Sequence, residues 1–103
     1  MVLDDARFIV HRPVVEFEWD SGKNASNQEK HGIGFQEASA LWSDPGLILL
    51  ASRHSDEPRF LAIGKIELTH WTAIFTERED RIRIISVRRA RDNERSLYEH
   101  HQP

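Results

Sequence analysis

The sequence predicts a small α+β domain with the element order β-α-α-β-β-β-β-α. Helical patterning is confined to residues before Asp44 and after Ala90. Between them lie four consecutive strand-like stretches, joined by polar breaks too short for crossover helices. Such a run pairs as an antiparallel meander, and helices segregated from it pack on a sheet face. The expectation is a four-to-five-stranded, mostly antiparallel sheet with two N-terminal helices and one C-terminal helix. All three helices are expected on one face, leaving the other at least partly open.

Residues 1–15 read as an N-terminal extension, since Pro13 cannot serve a central ladder. The domain proper runs from 16 to 103. Val14–Trp19 alternates as a short strand. Asp20 or Ser21 caps a helix to about Lys30, and Gly32 supplies its left-handed end. Phe35, Ala38, Leu41 and Trp42 lie at helical spacing, and Asp44-Pro45-Gly46 stops that second helix. Leu47–Ala51 is a continuous apolar strand. Phe60–Lys65 and His70–Thr76 follow, with a turn near Glu67–Thr69. Glu77–Asp80 is a tight charged turn, Arg81–Arg89 the last strand, and Asp92 the cap of a helix reaching His100.

A chain of 103 residues, 39% hydrophobic and 30% charged, supports one folded core. With no cysteine, disulfides and thiolate zinc sites are excluded. No apolar run approaches the ~18 residues of a membrane span, and the N-terminus lacks a signal-peptide layout. A cytoplasmic protein without a membrane role is expected. No histidine pair has metal-binding helical spacing and no glycine-rich phosphate loop is present, so neither metal nor cofactor is expected.

The net charge is −3, but its distribution is uneven. Arg81, Arg83, Arg88, Arg89 and Arg91 fall in one stretch without an acid, while residues 1–80 are acidic. Guanidinium groups keep their charge and bind phosphate bidentately. Strict alternation points Ile82 and Ile84 to the helices and Arg81 and Arg83 to the open face. It puts Arg83 and Arg88 on opposite faces, unless a bulge near Ser86 re-aims the chain. A solubilising face paired with Glu77, Glu79 or Asp80 would have the same pattern. His54, in the loop Arg53–Arg59, can move a proton near neutral pH. Lys23, Asn27 and Lys30 share a helical face and, with His31, could extend a phosphate path. Trp19 and Trp42 read as core, and Trp71 as a stacking candidate. Tyr98 offers a hydroxyl to phosphate or packs the last helix.

These stretches fall in the order of a known family. Phe17-Glu-Trp-Asp20 with Lys23 and Asn27, Lys30-His-Gly32 with Phe35, Glu37 and Ala38, His54-Ser55 with Arg59-Phe60 and Ile63-Gly64, Trp71–Arg78, and Arg81–Ser86 with Arg88, Ala90, Glu94 and Tyr98 resemble the BrnT toxins of bacterial type II toxin–antitoxin systems. The resemblance covers about residues 16–99. It implies a RelE-like fold and a metal-independent ribonuclease that cuts RNA and arrests growth. It also implies a BrnA-like antitoxin with a ribbon-helix-helix part, through which alone operator DNA is met. On this reading His54, Arg59, Arg81, Arg83 and Arg88 are the catalytic candidates, with Arg81 and Arg83 foremost. Lys23, Lys30, His31, Arg89 and Tyr98 are the RNA-binding candidates. A non-catalytic RNA- or protein-binding module, or an inactivated toxin serving as co-repressor, remains the alternative.

Overall fold

In the computed structural model, which describes residues 15–52 and 57–102, the expected order is realised. The chain runs β1 (Glu16–Glu18), α1 (Ser21–His31), α2 (Phe35–Ala38), a 3-10 segment (Ser39–Ser43), β2 (Ile48–Ser52), β3 (Arg59–Ile66), β4 (Thr69–Arg78), β5 (Arg81–Arg89) and α3 (Asp92–His100). The five strands form one sheet in the order β1-β5-β4-β3-β2. The last four strands are the antiparallel meander; β1 joins β5 in parallel, so the sheet is mixed. No helix among the described residues is long and apolar enough to cross a membrane.

Local chemistry explains the boundaries. The Asp20 carboxylate accepts the Lys23 N–H at 2.9 Å, and Gly32 closes α1 at φ 75°. The second helix is shorter than its spacing predicts. One α turn gives way to 3-10 winding, which brings residues three apart into line. Phe35, Ala38 and Leu41, each three apart, are all fully buried. Arg91 rather than Asp92 is the N-cap of α3, because Glu94 reaches back to accept the Arg91 N–H at 2.8 Å. β4 continues through Glu77 and Arg78, so the turn to β5 is only Glu79-Asp80.

One sheet face carries the core. Ile33, Phe35, Ala38 and Leu41 from the N-terminal helical region pack on Ala62, Ala73, Phe75, Ile84 and Val87. A series of edge-on ring contacts, Phe17 to Trp42 at 5.1 Å and Trp42 to Phe75 at 5.2 Å, ties β1 through the 3-10 segment to β4.

The expectation that all helices share one face is not met. Glu94 of α3 hydrogen-bonds Thr72, and Tyr98 packs edge-on against His70; both partners lie on the opposite face. That face is therefore covered by α3 at one end and open at the other.

Asp44 joins the parts. Its carboxylate accepts the Lys65 N–H, the Tyr98 hydroxyl and the Gly46 N–H, each at 2.8 Å. Burial opposes its charge, but these donors outweigh that cost and lower its pKa. Two outcomes follow from this framework. Asp44→Ala strands the Lys65 and Tyr98 donors and is expected to lower the unfolding free energy by about 2–4 kcal/mol in urea titrations. Glu67 and Glu79 hold φ 57° in their hairpin turns. Glu79→Gly removes that left-handed strain and is expected to raise stability by up to about 1 kcal/mol.

Candidate nucleic-acid interface

In the β4–β5 ladder Phe75 pairs with Ile84 and Ile74 with Ser86, leaving Ile85 as an extra residue. This is the bulge that alternation alone left open. Before it, Ile82 and Ile84 face the core and Arg81 and Arg83 face away. After it, Val87 faces the core and Arg88 faces away, opposite Thr72. Arg81, Arg83, Ser86 and Arg88 thus occupy one face.

The open end of that face holds a cavity of about 400 Å3. Arg59 of β3, Arg88 and Arg91 line it, with Ile85, Ser86 and Glu94. Its volume falls in the range of small-ligand sites. The Arg59 Nε is buried and finds no hydrogen-bond partner among the described residues. Buried donors are rarely left unmade without a reason. Arg88 is held as a fork: its Nη1 and Nη2 donate to the two Glu94 oxygens at 2.8 and 3.0 Å. Glu94 also accepts from Thr72 at 2.9 Å and from the Arg91 N–H. Burial alone raises the Glu94 pKa, but Arg88, the Arg91 amide and Thr72 outweigh it and bring it from 4.5 to about 2. Glu94 is therefore a fixed anion that aims Arg88.

Arg81 and Arg83 are committed elsewhere. β1 lies parallel to β5, so Glu16 stands opposite Arg81 and Glu18 opposite Arg83. Arg81 donates to Glu16 at 3.3 Å and Arg83 to Glu18 at 3.1 Å, with Arg81 and Glu18 3.6 Å apart. The Glu16 carboxylate, and then Glu18, raise the Arg81 pKa further. The pairing partners are β1 carboxylates, not the Glu77–Asp80 turn residues considered from sequence.

Lys23, Lys30 and His31 do gather. They line a groove of about 180 Å3 between α1 and β5 that also touches Ile85 and Ser86. Arg89 does not join any of these: it falls on the core face, with its guanidinium 5.7 Å from the Trp71 ring. Trp71 packs against the core and carries Arg89. Tyr98 is only 5% exposed and donates its hydroxyl to Asp44; burial and that carboxylate push its pKa up to about 12. The packing role considered for it is the one found. His54 lies outside the described residues.

Ser86, Arg91 and Glu94 of the cavity escaped the sequence reading as site residues. Arg91 belonged to the arginine stretch but lay past the predicted strand. Glu94 follows Arg91 by three residues, the spacing of a capping box, and that signal was available.

A family model described as ribonuclease toxin, BrnT, of type II toxin–antitoxin system matches residues 19–94. No curated protein matches the chain.

The Glu94 network has a measurable consequence. Its folded pKa lies below the unfolded one, so its stabilisation is present above pH 4.5 and lost as pH falls toward about 2. A shift of this size corresponds to about 3 kcal/mol. Urea unfolding at about pH 7 and about pH 3 should show a stability loss that is clearly smaller in Glu94→Gln.

Proposed function

The chain belongs to the BrnT family of ribonuclease toxins of type II toxin–antitoxin systems, and on that premise we propose that it cleaves RNA in the cavity lined by Arg59, Arg88 and Arg91. The observation that carries this reading is the buried Nε of Arg59, without a hydrogen-bond partner among the described residues, in a cavity shared with two further guanidiniums.

The step requires little of the protein beyond charge and position. The 2′-oxygen of the substrate attacks the adjacent phosphorus, the P–O2′ bond forms and the P–O5′ bond breaks. The 2′-proton passes to a base, and the departing 5′-oxygen takes up a proton. Negative charge on the non-bridging oxygens grows in between. Fixed guanidiniums directed at that charge lower the barrier without reorganising. Arg59 supplies an uncommitted donor, and Arg88 is pre-set by Glu94. Glu94, ionised down to a pH near 2, serves as a poor base. We assign the proton transfer to His54, because an imidazole is the side chain suited to moving a proton at neutral pH. The arginines supply the positive charge that a metal supplies elsewhere, so a chelator should leave the rate unchanged.

The family implies an antitoxin protein as partner, and in our reading it masks this face. We assign it to the BrnA-like, ribbon-helix-helix kind, through which the pair meets operator DNA. A segment seated over three arginines should present acidic or apolar side chains.

With purified protein and unmodified RNA, Arg59→Ala is expected to slow cleavage by on the order of a hundredfold. Arg88 is tested with its partner, as Arg88→Met with Glu94→Gln, because removing the arginine alone strands a buried carboxylate. This pair should lose activity comparably. Arg81→Ala and Arg83→Ala should have far smaller effects. Full cleavage by Arg59→Ala, or toxicity on induction without RNA loss, would contradict the reading.

A further inference from the structure

The arginine cavity and the lysine groove have two residues in common, Ile85 and Ser86. Both belong to the bulge region of β5, so a single ridge separates the two basic depressions. The reason the ridge is open lies in β1. Among the described residues that strand pairs with Arg81–Arg83, and beyond them no described strand covers the outer edge of β5. Asn27 of α1 takes over there. Its Oδ1 accepts the Val87 N–H at 3.0 Å, and its Nδ2 donates to the Ile33 carbonyl at 3.0 Å. Asn27 is 6% exposed, and both its amide oxygen and its amide nitrogen are engaged by backbone, so it acts as a lock. With Asn27 fixed on β5, Lys23 one turn before it and Lys30 one turn after it are held beside the bulge.

The charges in the groove contrast with those around them. Arg81, Arg83 and Arg88 each have a carboxylate within ion-pair distance. The ammonium groups of Lys23 and Lys30 have none among the described residues. Lys30 and His31 sit in the last turn of α1, where the helix dipole favours cations. Lys23 sits in the first turn, where the dipole disfavours them and where the capping Asp20 carboxylate is engaged by the Lys23 backbone N–H. Helix stability therefore does not explain Lys23. The Ser86 hydroxyl, on the ridge itself, also has no partner among the described residues.

The geometry points to a continuous track for single-stranded RNA: a phosphate flanking the cleavage site leaves the arginine cavity over Ser86, crosses the edge of β5 and is held by Lys23 and Lys30. The inference rests on the ribonuclease reading for the place of the scissile phosphate. The track turns from one sheet face around an edge toward α1. A flexible single strand follows such a bend, whereas a duplex is stiff on this scale. The substrate is thereby a single strand several nucleotides long, with binding energy drawn from outside the reacting phosphate.

The test uses the full chain and fluorescent 2′-O-methyl RNA oligonucleotides, which lack the attacking hydroxyl and stay intact. Each backbone contact to a single strand contributes roughly 0.7 to the slope of log K against log salt. For a single-stranded oligonucleotide, Lys23→Gln with Lys30→Gln should bind about tenfold more weakly at low salt and flatten that slope by about 1.4. A dinucleotide carrying one phosphate should bind wild type and variant alike, and Lys23→Arg with Lys30→Arg should keep the affinity. Equal affinity and slope for wild type and the glutamine variant would overturn the track. So would equal weakening on the dinucleotide, or tighter binding of the annealed duplex than of the single strand. Cleavage is read separately on unmodified RNA. Wild-type protein that binds along both depressions yet leaves RNA intact contradicts the ribonuclease reading alone.

Discussion

Between Ile84 and Ser86 the last strand carries one residue more than the strand beside it, and the two halves of β5 keep a common orientation only because of it. Without Ile85 as the extra residue, Ile84 and Val87 could not both enter the core, since they are three positions apart and a regular strand alternates. The same offset turns Arg88 to the face that carries Arg59. Packing and charge are thus set by one irregularity. The core side has Ile84 at 1% and Val87 at 0% exposure, which fixes the register firmly. The charged side inherits that precision at no further cost.

Charge on this protein is sorted by pairing. β1 is only three residues long, yet its parallel register sets Glu16 and Glu18 against Arg81 and Arg83. α3 does the same for Arg88, but with a different effect. Glu94 binds it through both oxygens from a buried position and orients it beside the cavity. Exposed pairs such as Arg81 with Glu16 contribute little stability, whereas the buried fork cannot be broken on one side without a large cost. A chain with a net charge of −3 can therefore still present a cationic depression. Among the described residues, Arg59, Arg91 and the lysines of α1 are where positive charge has no carboxylate within ion-pair distance.

Much of the fold was legible because each element carried its own signal: the Asp20 cap, Gly32, the apolar periodicities and the short polar breaks. The candidate site was legible in composition and not in geometry. The arginine stretch and the helical face of Lys23, Asn27 and Lys30 could be read from spacing. The ranking within them could not, because the partners of Arg81 and Arg83 lie 65 residues away across a parallel pairing. From sequence Arg89 is an RNA-binding candidate beside the catalytic candidate Arg88, yet neighbours on a strand face opposite ways. The side of the sheet taken by α3 depends on Glu94 reaching Thr72, a contact spanning 22 residues that no local pattern announces.

The claim that a phosphate sits against Arg59 and not against the Arg81–Arg83 ladder can be observed directly at the arginine side chains. In nitrogen-detected NMR of the guanidinium Nε–H groups, titration with an uncleavable dinucleotide should move the Arg59 signal and protect its proton from exchange, leaving Arg81 in place. Movement of the Arg81 and Arg83 signals with Arg59 unchanged would contradict the account.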